Sequence, residues 1–186
     1  MLEELNERIK ECRKCRLWKF RKNAVPGMGN PEARIMLIGE APGAKEDETG
    51  LPFVGKAGKL LDEILAELGF DRTKLYITNV VKCRPPHNRD PFEDEILACK
   101  PYLDAQIGAI KPLKIVCLGR IAARVVFKKF GVSFDGLSSD HGVIKKINTL
   151  WGTLLLMATY HPAAALYNPT LRSKIKEDLK EILVRA

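Results

Sequence analysis

Apolar residues along this chain fall into short dense runs separated by longer amphipathic stretches. Four runs read as strands buried on both faces: 35–39, 76–81, 115–119 and 154–160. Between them the apolar positions recur at helical spacing. Leu2, Leu5 and Ile9 mark a helix over 2–12, and Leu60, Leu61, Ile64, Leu65 and Leu68 mark another, stopped by Gly69. The stretch 92–110 reads as helical, with Pro101 expected to kink or divide it. Ile121, Val125 and Val126 face inward on a helix ending near Gly131, and a last helix covers 171–184. The stretches 23–31 and 45–55 read as turn-rich and polar loops, and 143–151 as a hairpin around Asn148-Thr149. Strands that alternate with helices predict an α/β fold: a three-layer α/β/α sandwich around a central four-stranded, mainly parallel sheet. No repeat or compositional break divides it, so a single domain over 1–186 is expected.

Parallel strands bring their carboxyl ends to one edge of a sheet, where α/β proteins bind ligands. Glu40, Asn79 and His161 each stand at such an end. Each has an ordinary structural explanation alone; a carboxylate, an amide and an imidazole arriving together make a candidate site. The turn Gly39-Glu40-Ala41-Pro42-Gly43 brings backbone close to whatever binds there, and Phe53 offers a stacking plate.

The formal charge of +8 favours a polyanionic partner, although a solvated basic surface explains it equally well. Lys56, Lys59, Lys82, Arg84 and Arg89 fall near the same edge and suit phosphate contacts. Leu166 and Tyr167, beyond His161, form an apolar tip able to wedge between stacked bases.

The N-terminal ten residues lack the apolar core of a signal peptide, and no apolar run is long enough to span a membrane. A soluble, cytoplasmic protein with reduced thiols is therefore expected. Its five cysteines then point to metal or packing. Cys12-x-x-Cys15 is one clip, and Cys83 and Cys99 supply two further thiolates. Four thiolates suit either Zn²⁺ or a [4Fe-4S] cluster, and spacing alone does not choose. Cys117, between Val116 and Leu118, reads as an inert core residue. A single glutamine amid abundant Lys, Arg and Glu hints at a thermophilic source.

Several motifs together carry a resemblance. They are Cys12-x-x-Cys15, Gly39-Glu40-Ala41-Pro42-Gly43, Pro52-Phe53-Val54-Gly55, Thr78-Asn79-Val80-Val81-Lys82-Cys83-Arg84-Pro85-Pro86, Cys99 and His161-Pro162-Ala163. In this order they resemble the family 4 uracil-DNA glycosylases, the iron–sulfur class of the uracil-DNA glycosylase superfamily. Ala41 departs from a glycine common in the family, and His87 from a smaller residue.

The resemblance implies a [4Fe-4S] cluster on Cys12, Cys15, Cys83 and Cys99, pinning the N-terminal segment and the 83–99 region where they face DNA. It implies hydrolysis of the N-glycosidic bond of uracil in single- and double-stranded DNA, leaving an abasic site. The uracil pocket would comprise Gly39, Glu40, Ala41, Pro42, Phe53, Asn79 and His161. Within it Phe53 would stack on the base, and Asn79 would read its edge. His161 would stabilise charge at uracil O2, and Glu40 would orient water or offset charge on the sugar. Lys82, Arg84, Leu166 and Tyr167 are the expected DNA contacts. A monomer is expected, with a sliding clamp as the candidate protein partner. Two other classes stand beside this one: a non-catalytic iron–sulfur nucleic-acid-binding module, and a zinc-stabilised enzyme acting on a free nucleotide. A glycosylase assay separates the first, and an iron assay the second.

Overall fold

The computed structural model describes residues 1–186. Six strands form one sheet: β1 (Met28–Gly29), β2 (Ile35–Gly39), β3 (Tyr76–Asn79), β4 (Lys114–Leu118), β5 (Lys145–Thr149) and β6 (Gly152–Thr159). Their spatial order is β1-β3-β2-β4-β6-β5. The central four are parallel, as expected from their continuous apolar runs. Antiparallel β1 and β5 add an edge on each side, so the sheet has six strands and not the four expected.

Both extra strands come from segments with weak strand signals. β1 lies in the turn-rich stretch, and a Cβ on Gly29 would come within 1.9 Å of the Leu75 carbonyl oxygen, so only glycine allows that pairing. β5 is the first arm of the expected hairpin, but the chain turns at Leu150-Trp151, after Thr149 has paired with Gly152. Lys145 and Lys146 on β5 supply the charge that discourages further strands from adding at this edge.

The helices are α1 (Leu2–Lys10), α2 (Ala44–Thr49), α3 (Lys56–Glu67), α4 (Glu93–Ile110), α5 (Arg120–Lys129), α6 (Leu137–Asp140) and α7 (Pro169–Lys180). Alternate strand residues enter different layers. Met36, Ile38, Ile115 and Cys117 pack with α1, α4 and α5. Leu37, Val116 and Met157 pack with α3 and α7 on the opposite face. The result is the expected three-layer sandwich. No helix is long and apolar enough to cross a membrane.

Two helices depart from expectation. α4 runs unbroken through Pro101. The carbonyl that loses its partner there belongs to Leu97, which is 60% exposed, so water can satisfy it. α2 replaces part of the expected loop. Glu46 reaches back to the Gly43 N–H at 3.0 Å, and Gly50 closes the helix at φ +74°.

Candidate active site

The parallel register places Gly39 beside Asn79 and Leu118 beside Thr159. The residues that follow therefore meet at one edge, where a cleft of about 760 Å³ is lined by Glu40, Phe53, Asn79, Gly119, Arg120 and His161 among others. Gly39, the last residue of β2, keeps its floor open. A Cβ there would lie 2.5 Å from Asn79 Oδ1 and 2.6 Å from Phe53 Cζ.

Phe53 is buried at φ +49°, a conformation bulky side chains rarely adopt. Two charged side chains hold it there. Arg72 donates to the carbonyls of Pro52 and Phe53 at 3.0 and 2.6 Å. Glu46 accepts the N–H groups of Val54 and Gly55 at 3.0 and 2.7 Å. The Phe53 ring lies near-parallel to that of His161, with centroids 5.6 Å apart and planes 25° apart.

Asn79 is 2% exposed, and its Oδ1 has no hydrogen-bond partner. An orphaned buried amide oxygen costs about 1–3 kcal/mol, so this one, on a residue of the cleft wall, calls for a donor to complete it. The backbone around it is fixed: Val80 and Val81 donate to the carbonyls of Gly39 and Glu40 at 2.9 and 3.0 Å.

His161 follows β6 and packs on Gly119, whose φ of +96° suits glycine. Its Nδ1 accepts the Ala163 N–H at 3.0 Å, which leaves the proton on Nε2. Burial drives its pKa down to about 4, opposed by the Glu46 carboxylate, so the ring is neutral near pH 7.

Glu40 is half-buried. Burial first, then the Asp90 carboxyl, raise its pKa to about 7, while Arg120 pulls it down. Arg120 also pairs with Asp90. The cleft edge thus carries a carboxyl poised near neutrality, an imidazole donor and an unpartnered amide.

The structure brings Glu40, Ala41, Pro42, Phe53, Asn79 and His161 to one cleft, with Gly39 forming its floor. Four organising residues were not singled out from sequence: Glu46, Arg72, Asp90 and Arg120. Gly43-x-x-Glu46 was a readable capping pattern; the other three carry no local signal. Lys56 and Arg89 line the cleft, but Arg89 is committed to Glu95 by two bonds at 2.7 and 3.0 Å. Lys82 corrects the expected DNA contact: it is 1% exposed, and its Nζ is bonded to Thr78, Asn79 and Gln106. Arg84 is half-buried and donates to Asn88 at 2.7 Å, Leu166 is half-buried, and Tyr167 is 87% exposed.

Away from the cleft, Cys12, Cys15, Cys83 and Cys99 line one cavity with Trp18, Arg21 and Tyr102. N–H donors reach three of the sulfurs. Arg21 Nη1 lies 3.2 Å from Cys83, the Lys82 N–H 3.3 Å from Cys99, and the Lys14 N–H 3.5 Å from Cys12. Burial pushes the Cys99 thiol up to about 12 and also raises Cys83 and Cys15. N–H donors aimed at sulfur suit thiolate ligands, and on that ground the four side chains fit a group that binds thiolates. The space between the sulfurs measures about 10 Å³, and no three of these side chains converge closely enough to hold one metal ion. Cys117 stays in the sheet, fully buried.

Residues 26–183 match the family model described as the uracil DNA glycosylase superfamily. A Sulfurisphaera tokodaii protein named Type-4 uracil-DNA glycosylase is 53% identical, over 97% of this chain and 83% of its own. Proteins of the same name from Archaeoglobus fulgidus and Thermotoga maritima are 48% and 42% identical, each over 97% of this chain and over 91% and 92% of their own.

Proposed function

The chain belongs to the uracil-DNA glycosylase superfamily, and from that premise we propose that it hydrolyses the N-glycosidic bond of uracil in DNA, releasing the base and leaving an abasic site. The observation that carries the reading is the unpartnered, buried Oδ1 of Asn79 in the cleft. Uracil stacked in a duplex is out of reach, so it enters flipped out or from a single strand. The Phe53 ring packs on the base. Asn79 accepts from uracil N3–H and donates to O4; cytosine presents the reverse polarity and is rejected.

As the glycosidic bond breaks, negative charge grows on the base, chiefly at O2. A neutral His161 with its proton on Nε2 is a donor for that charge, and its Nδ1 bond to Ala163 fixes the ring. The sugar becomes cation-like, and water attacks it. Glu40 as carboxylate offsets that charge or orients the water. Arg84, Leu166 and Tyr167 remain the proposed duplex contacts; Lys82 is not among them.

Cys12, Cys15, Cys83 and Cys99 would hold a [4Fe-4S] cluster, which would cross-link the N-terminal segment to the 83–99 region. The test is single-turnover excision from oligonucleotides carrying uracil, thymine or cytosine. Asn79→Asp keeps the shape and replaces the donor by an acceptor. Uracil excision should fall by about 10⁴, the discrimination expected of fixed polar-edge reading. An unchanged uracil rate would mean that another group reads the base.

A further inference from the structure

A fully buried lysine is rare because its ammonium loses hydration that only well-placed acceptors replace. Lys82 sits between the two functional regions, one residue before Cys83 and three after Asn79. Its Nζ contacts Thr78 Oγ1, the Asn79 main-chain oxygen and Gln106 Oε1 at 2.6, 2.6 and 2.7 Å.

The directions of these bonds are fixed by their neighbours. The Thr78 hydroxyl gives its proton to the Pro26 carbonyl at 2.7 Å, so its oxygen faces Lys82 as an acceptor. Gln106 Nε2 donates to the same carbonyl at 2.8 Å, which turns Oε1 toward the lysine. A main-chain carbonyl only accepts. Three acceptors therefore meet the three donors of one ammonium, with none left over. The backbone of Lys82 is equally committed: its N–H donates to Cys99 Sγ at 3.3 Å, and its carbonyl accepts from Val25 at 2.7 Å.

We propose that Lys82 is a positioning residue for base recognition. Its side chain clamps the Asn79 carbonyl to Thr78 and Gln106, while its main chain holds the wall of the cysteine cavity, so both sites share one rigid turn. This rests on the reading of Asn79 as the group that meets uracil. The side chain of Asn79 leaves a backbone whose carbonyl is held from below by the ammonium. Its side chain can therefore hold its place in the cleft wall although Oδ1 has no partner of its own. Gln106, the only glutamine of the chain, anchors this clamp to α4, the helix that also carries Cys99.

The experiment is a double-mutant cycle on protein purified with its metal group in place. Lys82→Met keeps the unbranched apolar stem as far as Cε and removes all three donors. Visible absorbance and thermal midpoint report on the fold and the metal site. Single-turnover excision from uracil-containing single strands and affinity for free uracil report on recognition. Lys82→Met should retain its visible absorbance and lose about 10- to 100-fold in both recognition readouts, as expected within one hydrogen-bond network. In an Asn79→Ala background the same change should cost less than about threefold.

A wild-type rate in Lys82→Met, or an equal loss in both backgrounds, would overturn the proposal and leave Lys82 with a fold-supporting role alone. If Asn79→Ala itself excises uracil normally, the reading of Asn79 fails, and that outcome is distinct from failure of the clamp. Should Lys82→Met not fold, Thr78→Val removes one of the three acceptors. It should give a smaller loss with the same dependence on Asn79, and an unchanged rate there would also sink the clamp.

Discussion

One hydrogen bond decides which nitrogen of His161 bears the proton, and with it what the residue can do. With Nδ1 occupied by the Ala163 N–H, a neutral ring has only Nε2–H to offer. A donor that strengthens as charge develops acts on the transition state more than on the bound base. His161→Ala should therefore lower the single-turnover rate by about 10²–10³ while changing free-uracil affinity much less. Loss of affinity with an intact rate would make the imidazole a binding group. Glu40 sets the pH dependence. Its pKa is raised to about 7, so its carboxylate form grows as pH rises through neutrality and is lost below it. The excision rate should climb with pH through that range. His161, at about 4, adds no inflection there. Glu40→Gln should be slower and flat across the same range; a rate profile with an unchanged climb would assign the inflection elsewhere. Glu40, Asn79 and His161 could be found from sequence because the strand pattern fixes where each strand ends and so which residues stand at or just beyond that end. Asp90, Arg120 and the burial of Lys82 could not, since loop packing alone decides them.

At the scale of elements, the pocket wall is a loop pressed between two helices. α2 supplies Glu46 to the loop backbone, and α3 begins immediately after Gly55. Gly58, in the first turn of α3, lies so close that a Cβ would stand 1.9 Å from the Phe53 carbonyl oxygen. Elsewhere in a helix, Gly→Ala stabilises by about 0.5–1 kcal/mol. Here the obstacle is backbone, which cannot step aside as a flexible side chain would. Gly58→Ala should instead destabilise by about 1–3 kcal/mol and displace Phe53, with uracil excision falling alongside the thermal midpoint. A raised midpoint with wild-type excision would refute this contact. The long helices and parallel strands were legible because each repeats its own period over many residues. α2, β1 and the hairpin turn were missed for the opposite reason: their geometry rests on one or two glycines and a reach-back carboxylate. Pro101 does not divide α4, because the carbonyl it frees, that of Leu97, lies at the surface where water can meet it.

At the scale of the whole molecule, the four cysteines join parts of the chain that the sheet does not. Cys12 and Cys15 belong to the segment between α1 and the turn Arg16–Lys19, Cys83 to the loop after β3, and Cys99 to α4. Arg21 ties the same segment inward through Cys83 and the carbonyls of Cys12 and Lys10, at 3.2, 2.8 and 2.9 Å. A group bound by all four thiolates in the folded chain adds its binding free energy to folding. Cys83→Ser should therefore lose iron and visible absorbance, lower the thermal midpoint, and expose residues 12–25 to proteolysis. Cys117→Ala, in the sheet and apart from the cavity, should keep full iron content and colour while losing some stability through the small void it leaves. The two variants separate metal loss from simple core damage. Iron content per chain, measured after anaerobic purification, is the deciding quantity. Stoichiometric zinc without iron in the wild-type protein, or unchanged colour in Cys83→Ser, would remove the cluster from this account.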